Sequence, residues 1–372
     1  MRLPRFLANT DTSFLLALGL LLALGLIFLS SASAPLAYER FHNRSYYLWH
    51  QVFAGVVPGI IAFGITARLR RTALQRGAVP MFLASLVLLV ILLIPGLAVT
   101  YGRTRSWLGI GPLTFQPAEI AKLGFILALA AWATVRRPSW FHMRSWSFGL
   151  IPFLVVLGTI VGLVALQPDV GTMVIIAAIG IVMAFAAGTT WSQLVAIVIA
   201  GGAALGGLIA AAPYRVARLT VFLHPELDPQ GIGYQVNQAL LAVGSGGWFG
   251  QGLGRSRQKF TFLPEVISDS IFAIIAEEIG FLFALAFIGL IAYVTWRVLR
   301  NAFEATDAFD RLVLIGIAAW WGSQSIVNIG AMVGLLPITG LPLPFVSYGG
   351  TSMVVALAAA GIVVNLSRKR SG

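Results

Sequence analysis

Phe14-Leu15-Leu16-Ala17-Leu18-Gly19-Leu20-Leu21-Leu22-Ala23-Leu24-Gly25-Leu26-Ile27-Phe28-Leu29 carries no polar side chain at all. A helix of about 20 such residues covers the ~30 Å apolar core of a bilayer. A helix that is apolar all round has to lie in a core or in lipid, because water would meet oily surface on every side. Working outward, runs of similar length recur near 14–32, 47–66, 79–99, 118–135, 148–166, 171–188, 192–212, 270–296, 311–335 and 348–367. The pattern predicts an all-α polytopic membrane protein of about ten transmembrane helices, with residues 1–372 as one integral membrane domain. Ser31-Ala32-Ser33-Ala34 looks like the end of a signal peptide. Pro35 would directly follow the cut, and the apolar stretch is long for a signal core, so cleavage is not expected.

Composition agrees. Hydrophobic residues make up 58% of the chain and charged residues 10%, against roughly 25% charged in soluble domains. Mean hydropathy is +0.90. The net charge of +12 does not point to nucleic acid, since no basic, aromatic-interleaved soluble module is present. Basic residues in such a chain set orientation and meet anionic lipid. There is no cysteine, hence no disulfide, thiolate site or cysteine nucleophile. His42, His50, His142 and His224 show no ligand spacing.

Charge asymmetry sets the expected orientation. Fifteen basic residues fall in short segments on one side: Arg2 and Arg5; Arg68, Arg70, Arg71 and Arg76; Arg136, Arg137 and Arg144; Arg297, Arg300 and Arg311; Arg368, Lys369 and Arg370. Nine, Arg103 among them, are spread over longer segments on the other. The positive-inside rule then puts both termini in the cytoplasm. Residues 213–268 become a large external loop between helices seven and eight, joined on that face by 100–117, 167–170 and 336–347. Gly202 and Gly206 form a small-xxx-small pair suited to helix packing.

Polar groups in such a chain are costly and therefore informative. Glu119 and Lys122 sit three apart in Gln116-Pro117-Ala118-Glu119-Ile120-Ala121-Lys122, on one face of a helix that Pro117 can open. They are either a self-neutralising pair or the wall of a polar cavity. Asp169, in Gln167-Pro168-Asp169-Val170-Gly171-Thr172, can cap the next helix or reach the same cavity. Arg215 and Arg218, also three apart, suit lipid headgroups or a diphosphate, whose oxygens match guanidinium forks. Gly244-Ser245-Gly246-Gly247-Trp248-Phe249-Gly250-Gln251-Gly252-Leu253-Gly254 lacks the lysine of a phosphate loop and follows no strand, so no nucleotide is expected. Glu265 and Asp269 stand four apart at the mouth of an apolar span that then carries Glu277 and Glu278. Asp269 is placed to cap that helix, or, partly desolvated, to act as a general base. Leu336 to Gly350 is punctuated by prolines and contains Ser347. Irregular backbone at membrane depth survives where protein or a wet cavity satisfies it, so this segment should line the site.

In this order and spacing the motifs resemble the SEDS family (FtsW, RodA, SpoVE). They are Gln116-Pro117-x-Glu119-Ile120-x-Lys122, Gln167-Pro168-Asp169-x-Gly171-Thr172, Asp228-Pro229 with Gly233-Tyr234-Gln235, Leu263-Pro264-Glu265-x3-Asp269, Glu277-Glu278-Ile279-Gly280 and Pro344-x2-Ser347-Tyr348-Gly349-Gly350. The resemblance implies a peptidoglycan glycosyltransferase of the bacterial cytoplasmic membrane that uses lipid II. Implied partners are a class B penicillin-binding transpeptidase and proteins of the division or elongation complex. By the same resemblance Asp269 falls on the family's essential aspartate, and Glu119, Lys122 and Asp169 on its polar cavity. Many members carry His-Thr before that aspartate, where this chain has Ile267-Ser268. Gly252 to Lys259 resembles the FtsW/SpoVE branch, while Gly340-Leu341-Pro342-Leu343-Pro344 suits RodA as well, so the expectation is a division enzyme with a RodA-like elongation polymerase as the alternative.

Lipid II brings an activated leaving group, so the protein must supply a base for the acceptor hydroxyl and positive charge for the departing diphosphate. Asp269 is the expected base. Lys122, Arg215 and Arg218 are the expected charges, with Glu265 and Ser347 as further substrate contacts and a divalent cation, Mg or Mn, as a possible helper. The rival reading is a lipid II flippase, which also predicts intramembrane charge and broken helices. Flipping needs polar residues through the full depth, whereas these crowd the outer half, with Glu277 and Glu278 the main exception.

Overall fold

The computed structural model describes residues 10–101, 104–110, 113–134, 145–260 and 262–368. Arg2, Arg5, Arg103, Arg136, Arg137, His142, Arg144, Lys369 and Arg370, used in the charge and ligand arguments, lie outside the described residues. In chain order the elements are α1 (Thr12–Phe41), α2 (Tyr46–Gln51), α3 (Val57–Thr66), α4 (Arg71–Ile91), β1 (Ala98–Tyr101), β2 (Thr104–Ile110), β3 (Leu113–Phe115) and α5 (Pro117–Thr134). There follow α6 (Ile151–Ala165), α7 (Val170–Ala186), α8 (Trp191–Ala210), α9 (Pro213–Leu223), α10 (Ile232–Ser245), α11 (Ile271–Glu304), α12 (Ala308–Met332) and α13 (Gly350–Leu366). A π turn at Val52–Val56 joins α2 and α3 into one rod.

Seven rods are long and apolar enough to cross a membrane: α1, α2–α3, α4, α5, α8, α11 and α12. Three shorter apolar helices, α6, α7 and α13, complete the set. The helices fall where the apolar runs predict, with instructive exceptions. Asp11 caps α1 by accepting the Phe14 N–H, and α1 runs unbroken through Ser33-Ala34-Pro35, so the cleavage-like stretch is the inside of a packed helix. The span expected at 79–99 is instead Arg71–Ile91. Leu97 precedes a strand here, because Pro95-Gly96 cannot continue a helix and β1 pairs antiparallel with β2, which pairs with β3. This small sheet departs from the all-α expectation. A Cβ at Gly202 or Gly206 would meet no other atom within 4 Å among the described residues, so the two glycines make no close helix contact within this chain. Gly361 does: a Cβ there would strike Thr66 Oγ1 and the Phe63 carbonyl, and its absence lets α13 lie against α3.

The two ends of the bundle differ in chemistry. At one, Arg71 pairs with Asp307 and Asp310, and Asp11 receives Arg297 and Asn301. At the other, the loops expected on one face are stitched together. The Arg105 N–H bonds the Gln167 carbonyl, the Gln116 N–H bonds Thr351 Oγ1, and Gly171 lies against Thr339 and Leu341.

α11 is broken at Gly280, whose φ of 76° and ψ of 175° only glycine adopts comfortably. The Gly-rich stretch fills the break by exchanging backbone bonds with it. Phe281 and Leu282 N–H groups donate to the Gly247 and Trp248 carbonyls. Gln251 and Gly252 N–H groups donate to the Glu277 and Glu278 carbonyls. These four bonds give the peptide groups on either side of the break partners outside the helix, as a membrane interior demands. The glycines serve this close approach.

Candidate active site

The short turn that carries Asp269 is held from outside by its own carbonyls. Three in succession accept a hydrogen bond from another segment. Tyr348 N–H donates to Ile267 O (2.8 Å), Ser347 Oγ to Ser268 O, and Asn328 Nδ2 to Asp269 O (2.8 Å). Asn328 donates its second hydrogen to Leu341 O at 2.7 Å, and Ser347 Oγ accepts the Leu343 N–H at 2.8 Å. Gln51 clamps the far side, receiving the Gly349 N–H at 3.0 Å. Glu265 and Phe345, one on each partner segment, have left-handed φ of 53° and 65°. Such strain in non-glycine residues persists only where surroundings over-determine it, and it concentrates at functional sites.

Asp269 is 6% exposed. It is not the helix cap: Ser270 takes that position, and makes no side-chain cap bond. The hydrogen bonds to its carboxylate come from within its own turn, from its own N–H, the Ser268 hydroxyl and, at 3.5 Å, Ser270 Oγ, while Gln235 of α10 donates to the Ser270 hydroxyl at 3.1 Å. Burial, and then the negative charge of Glu265, push Asp269 from the ordinary 3.8 up to about 7. A carboxylate poised near neutrality is suited to general-base work. Glu265 itself is exposed and accepts the Ser268 hydroxyl at 2.8 Å.

Glu119 and Lys122 form the predicted pair at 2.8 Å, and Lys122 is wholly buried. Lys122 also donates to Gln324 Oε1 at 2.8 Å and lies over the Trp320 ring. Gln324 in turn donates to Pro342 O at 2.7 Å. The pair therefore neutralises itself and, through Gln324, braces the segment opposite Asp269. Asp169 takes the first of the two roles considered for it, capping α7 through the Thr172 N–H, and also receives Gln116 Nε2 at 3.4 Å.

Arg215 and Arg218 are not brought to this cluster. Arg215 donates to Tyr214 OH and to Leu208 O, within its own α8–α9 corner, and Arg218 is exposed on α9. Ser347 is engaged as both donor and acceptor within the fold, which makes it a brace of the site. Glu277 and Glu278 serve the break in α11. Glu277 accepts Ser256 Oγ and the Arg257 and Gln258 N–H groups, and Glu278 pairs with Lys259 at 2.8 Å, aided by Ser31. Among the described residues no three His, Asp or Glu side chains gather as cation ligands. Asp269 and Glu265 would offer a Mg or Mn ion two carboxylates, with water and substrate phosphate oxygens completing the roughly six ligands such an ion takes.

Sequence reasoning did not single out Asn328, Gln324, Gln51 or Lys259 as parts of this machinery. Carboxamides inside apolar helices were the available signal for the first three.

A family model described as "Cell cycle protein", for FtsW, RodA and SpoVE, matches residues 11–372. A "Probable peptidoglycan glycosyltransferase FtsW" of Trichlorobacter lovleyi is 37% identical over 370 residues, covering 99% of this chain and 95% of the relative. "Stage V sporulation protein E" of Bacillus subtilis is 38% identical over 350 residues, 94% of each chain. Among solved structures, a chain from "Structural coordination of polymerization and crosslinking by a peptidoglycan synthase complex" superimposes with a TM-score of 0.80 at 29% identity, covering 98% of this chain and 99% of that one. The Thermus thermophilus rod shape determining protein RodA gives 0.71 at 30% identity with the same coverage.

Proposed function

The chain belongs to the FtsW/RodA/SpoVE family, and on that premise we propose that it is a peptidoglycan glycosyltransferase joining lipid II units into glycan strands on the outer face of the cytoplasmic membrane. The relatives named FtsW support the division branch. In this reading the ten apolar rods span the bilayer, both termini are cytoplasmic, and α9, α10 and the Asp269 turn face outward. The Arg-bearing end at Arg71 and Arg297 supports that orientation.

In the reaction, the Asp269 carboxylate takes the proton of an acceptor sugar hydroxyl. The hydroxyl oxygen bonds the anomeric carbon of the donor as its bond to the diphosphate oxygen breaks, and polyprenyl diphosphate leaves with the electron pair. Lys122 is sealed and already compensated, so its part is to hold the cavity wall rather than to meet phosphate. Arg218, exposed on α9 and apart from Asp269 in this structure, would meet the diphosphate only with α9 drawn toward the Asp269 turn. A class B transpeptidase would cross-link the strand. The complex named for polymerization and crosslinking supports such a partner.

The observation that carries this reading is a buried carboxylate that caps nothing, sits near neutrality and is held by three consecutive carbonyl clamps. Purified Asp269→Asn, assayed with its cognate transpeptidase on purified lipid II, should lose roughly 10²–10⁴-fold in polymerisation while folding normally. Polymerisation near the wild-type rate would refute the base assignment. Lipid II translocation without polymer from either form would favour a flippase.

A further inference from the structure

α12 presents two carboxamides one turn apart to two successive carbonyls of the opposite segment: Gln324 to Pro342 O and Asn328 to Leu341 O. Gln324 has its oxygen occupied by Lys122 and Trp320. Asn328 differs in that its second hydrogen leaves this segment and reaches Asp269 O. Both hydrogens of Nδ2 are thus used, on carbonyls 59 and 13 residues away in sequence. Two carbonyl oxygens fix which end of the amide faces them, because an amide oxygen there would be repelled. The Ala273 N–H bonds Ser270 O, so the ladder of α11 begins beyond Asp269.

We infer that Asn328 is a positioning residue for polymerisation: its amide joins the backbone of Asp269 to the Leu341 carbonyl and so sets where the base points. This rests on the assignment of Asp269 as base. Few side chains can replace it. Asp has the shape but no hydrogens to give, Ser has one donor, and Leu has none. The side-chain partners of Asp269, Ser268 and Ser270, stand on its own turn, so its direction follows the backbone of that turn. Ser347 and Tyr348 fix the two residues before it, and Asn328 alone among these three reaches Asp269 itself.

The test uses purified full-length chain with its cognate transpeptidase on lipid II, comparing wild type, Asn328→Ala, Asn328→Asp, Asn328→Ser and Asp269→Asn. A displacement of about 1 Å at a reacting group is worth roughly 10²-fold in rate. Asn328→Ala and Asn328→Asp should therefore lose about that factor in kcat with KM little changed, and Asn328→Ser should fall between. In Asn328→Ala, as the turn loosens and water reaches Asp269, the acidic limb of the pH–rate profile should move below that of wild type; Asn328→Asp adds a carboxylate beside the turn and is read for kcat alone. The charged groups nearby, Glu265 on the same turn and the Glu119–Lys122 pair behind Gln324, are retained in these variants. Wild-type kcat and pH profile in Asn328→Ala overturn the inference. So does a loss fully matched by the unfolded fraction in thermal melts, with the profile unmoved. If Asp269→Asn also polymerises normally, it is the base assignment that has failed. If Asp269→Asn is inactive and Asn328→Ala is not, only the positioning role has. Should Asn328→Ala fail to accumulate, Asn328→Ser carries the same comparison.

Discussion

Lys259→Met offers a sharp test of how the break in α11 is held. Lys259 and Glu278 meet at 2.8 Å with side chains only 3% and 1% exposed. Removing the ammonium leaves Glu278 with the Ser31 hydroxyl, which donates at 2.7 Å, and no counter-charge. Stranding one member of a buried pair costs about 3–5 kcal/mol, whereas replacing both by apolar groups of similar volume is often neutral or better. A loss of ~4 kcal/mol lowers the folded-to-unfolded ratio roughly a thousandfold. Lys259→Met should thus melt or unfold in mixed micelles far earlier than wild type. Lys259→Met/Glu278→Leu should recover most of the loss, giving a coupling of several kcal/mol in the double-mutant cycle. A single-variant penalty below about 1 kcal/mol, or a double variant as unstable as the single, would refute the claim that this pair is desolvated and holds the loop in place.

Other outcomes follow from the same geometry. Polymerisation should rise with pH through about 7, as Asp269 ionises into its basic form. Stability should do the opposite: between 3.8 and about 7 the folded state keeps a proton the unfolded state has released, so raising pH through that window destabilises, and Asp269→Asn should flatten both curves. Gly280→Ala puts a Cβ against the Gly250 backbone at a glycine-only conformation. It should cost about 1–3 kcal/mol from strain alone, read as a lowered melting temperature, and an unchanged melt would refute it. Ser347→Ala removes a donor and an acceptor that brace the site. It should destabilise by about 1–3 kcal/mol and lower kcat, while a rise in KM alone would mean that Ser347 touches substrate.

The apolar helices were readable because bilayer thickness imposes a length and an apolar composition that each segment carries by itself. The Glu119–Lys122 pair and the Asp169 cap were readable for a similar reason, since both are local, three residues apart. What escaped is built across sequence. The Asp269 clamp joins residues 59 and 79 apart, and no local pattern distinguishes Asn328 from any other polar residue in a helix. Asp269 as helix cap was a fair local reading that the turn hinged on Glu265 overrode. Lys259 looked like one more basic residue in an outer loop. Its burial depends on a glutamate 19 residues on, across a helix break that glycines alone permit. The sheet at Ala98–Phe115 was hidden by an apolar run that continues past the end of α4 to Pro95-Gly96.

The bond exchange at Gly280 also says something about the order of assembly. A straight α11 of 34 residues would be ~51 Å long at 1.5 Å per residue, well beyond a hydrocarbon layer of ~30 Å. On first entering lipid, with nothing beside it, the segment can satisfy its peptide groups only within itself, so Phe281 and Leu282 would bond back to Glu277 and Glu278. The break needs Gly247 to Gly252 in place to take over those carbonyl and amide partners together, so a docking step distinct from insertion is the expected consequence. The amides of Gln251, Gly252, Phe281 and Leu282, synthesised some thirty residues apart, should exchange with heavy water as one cooperative unit, released in a single event.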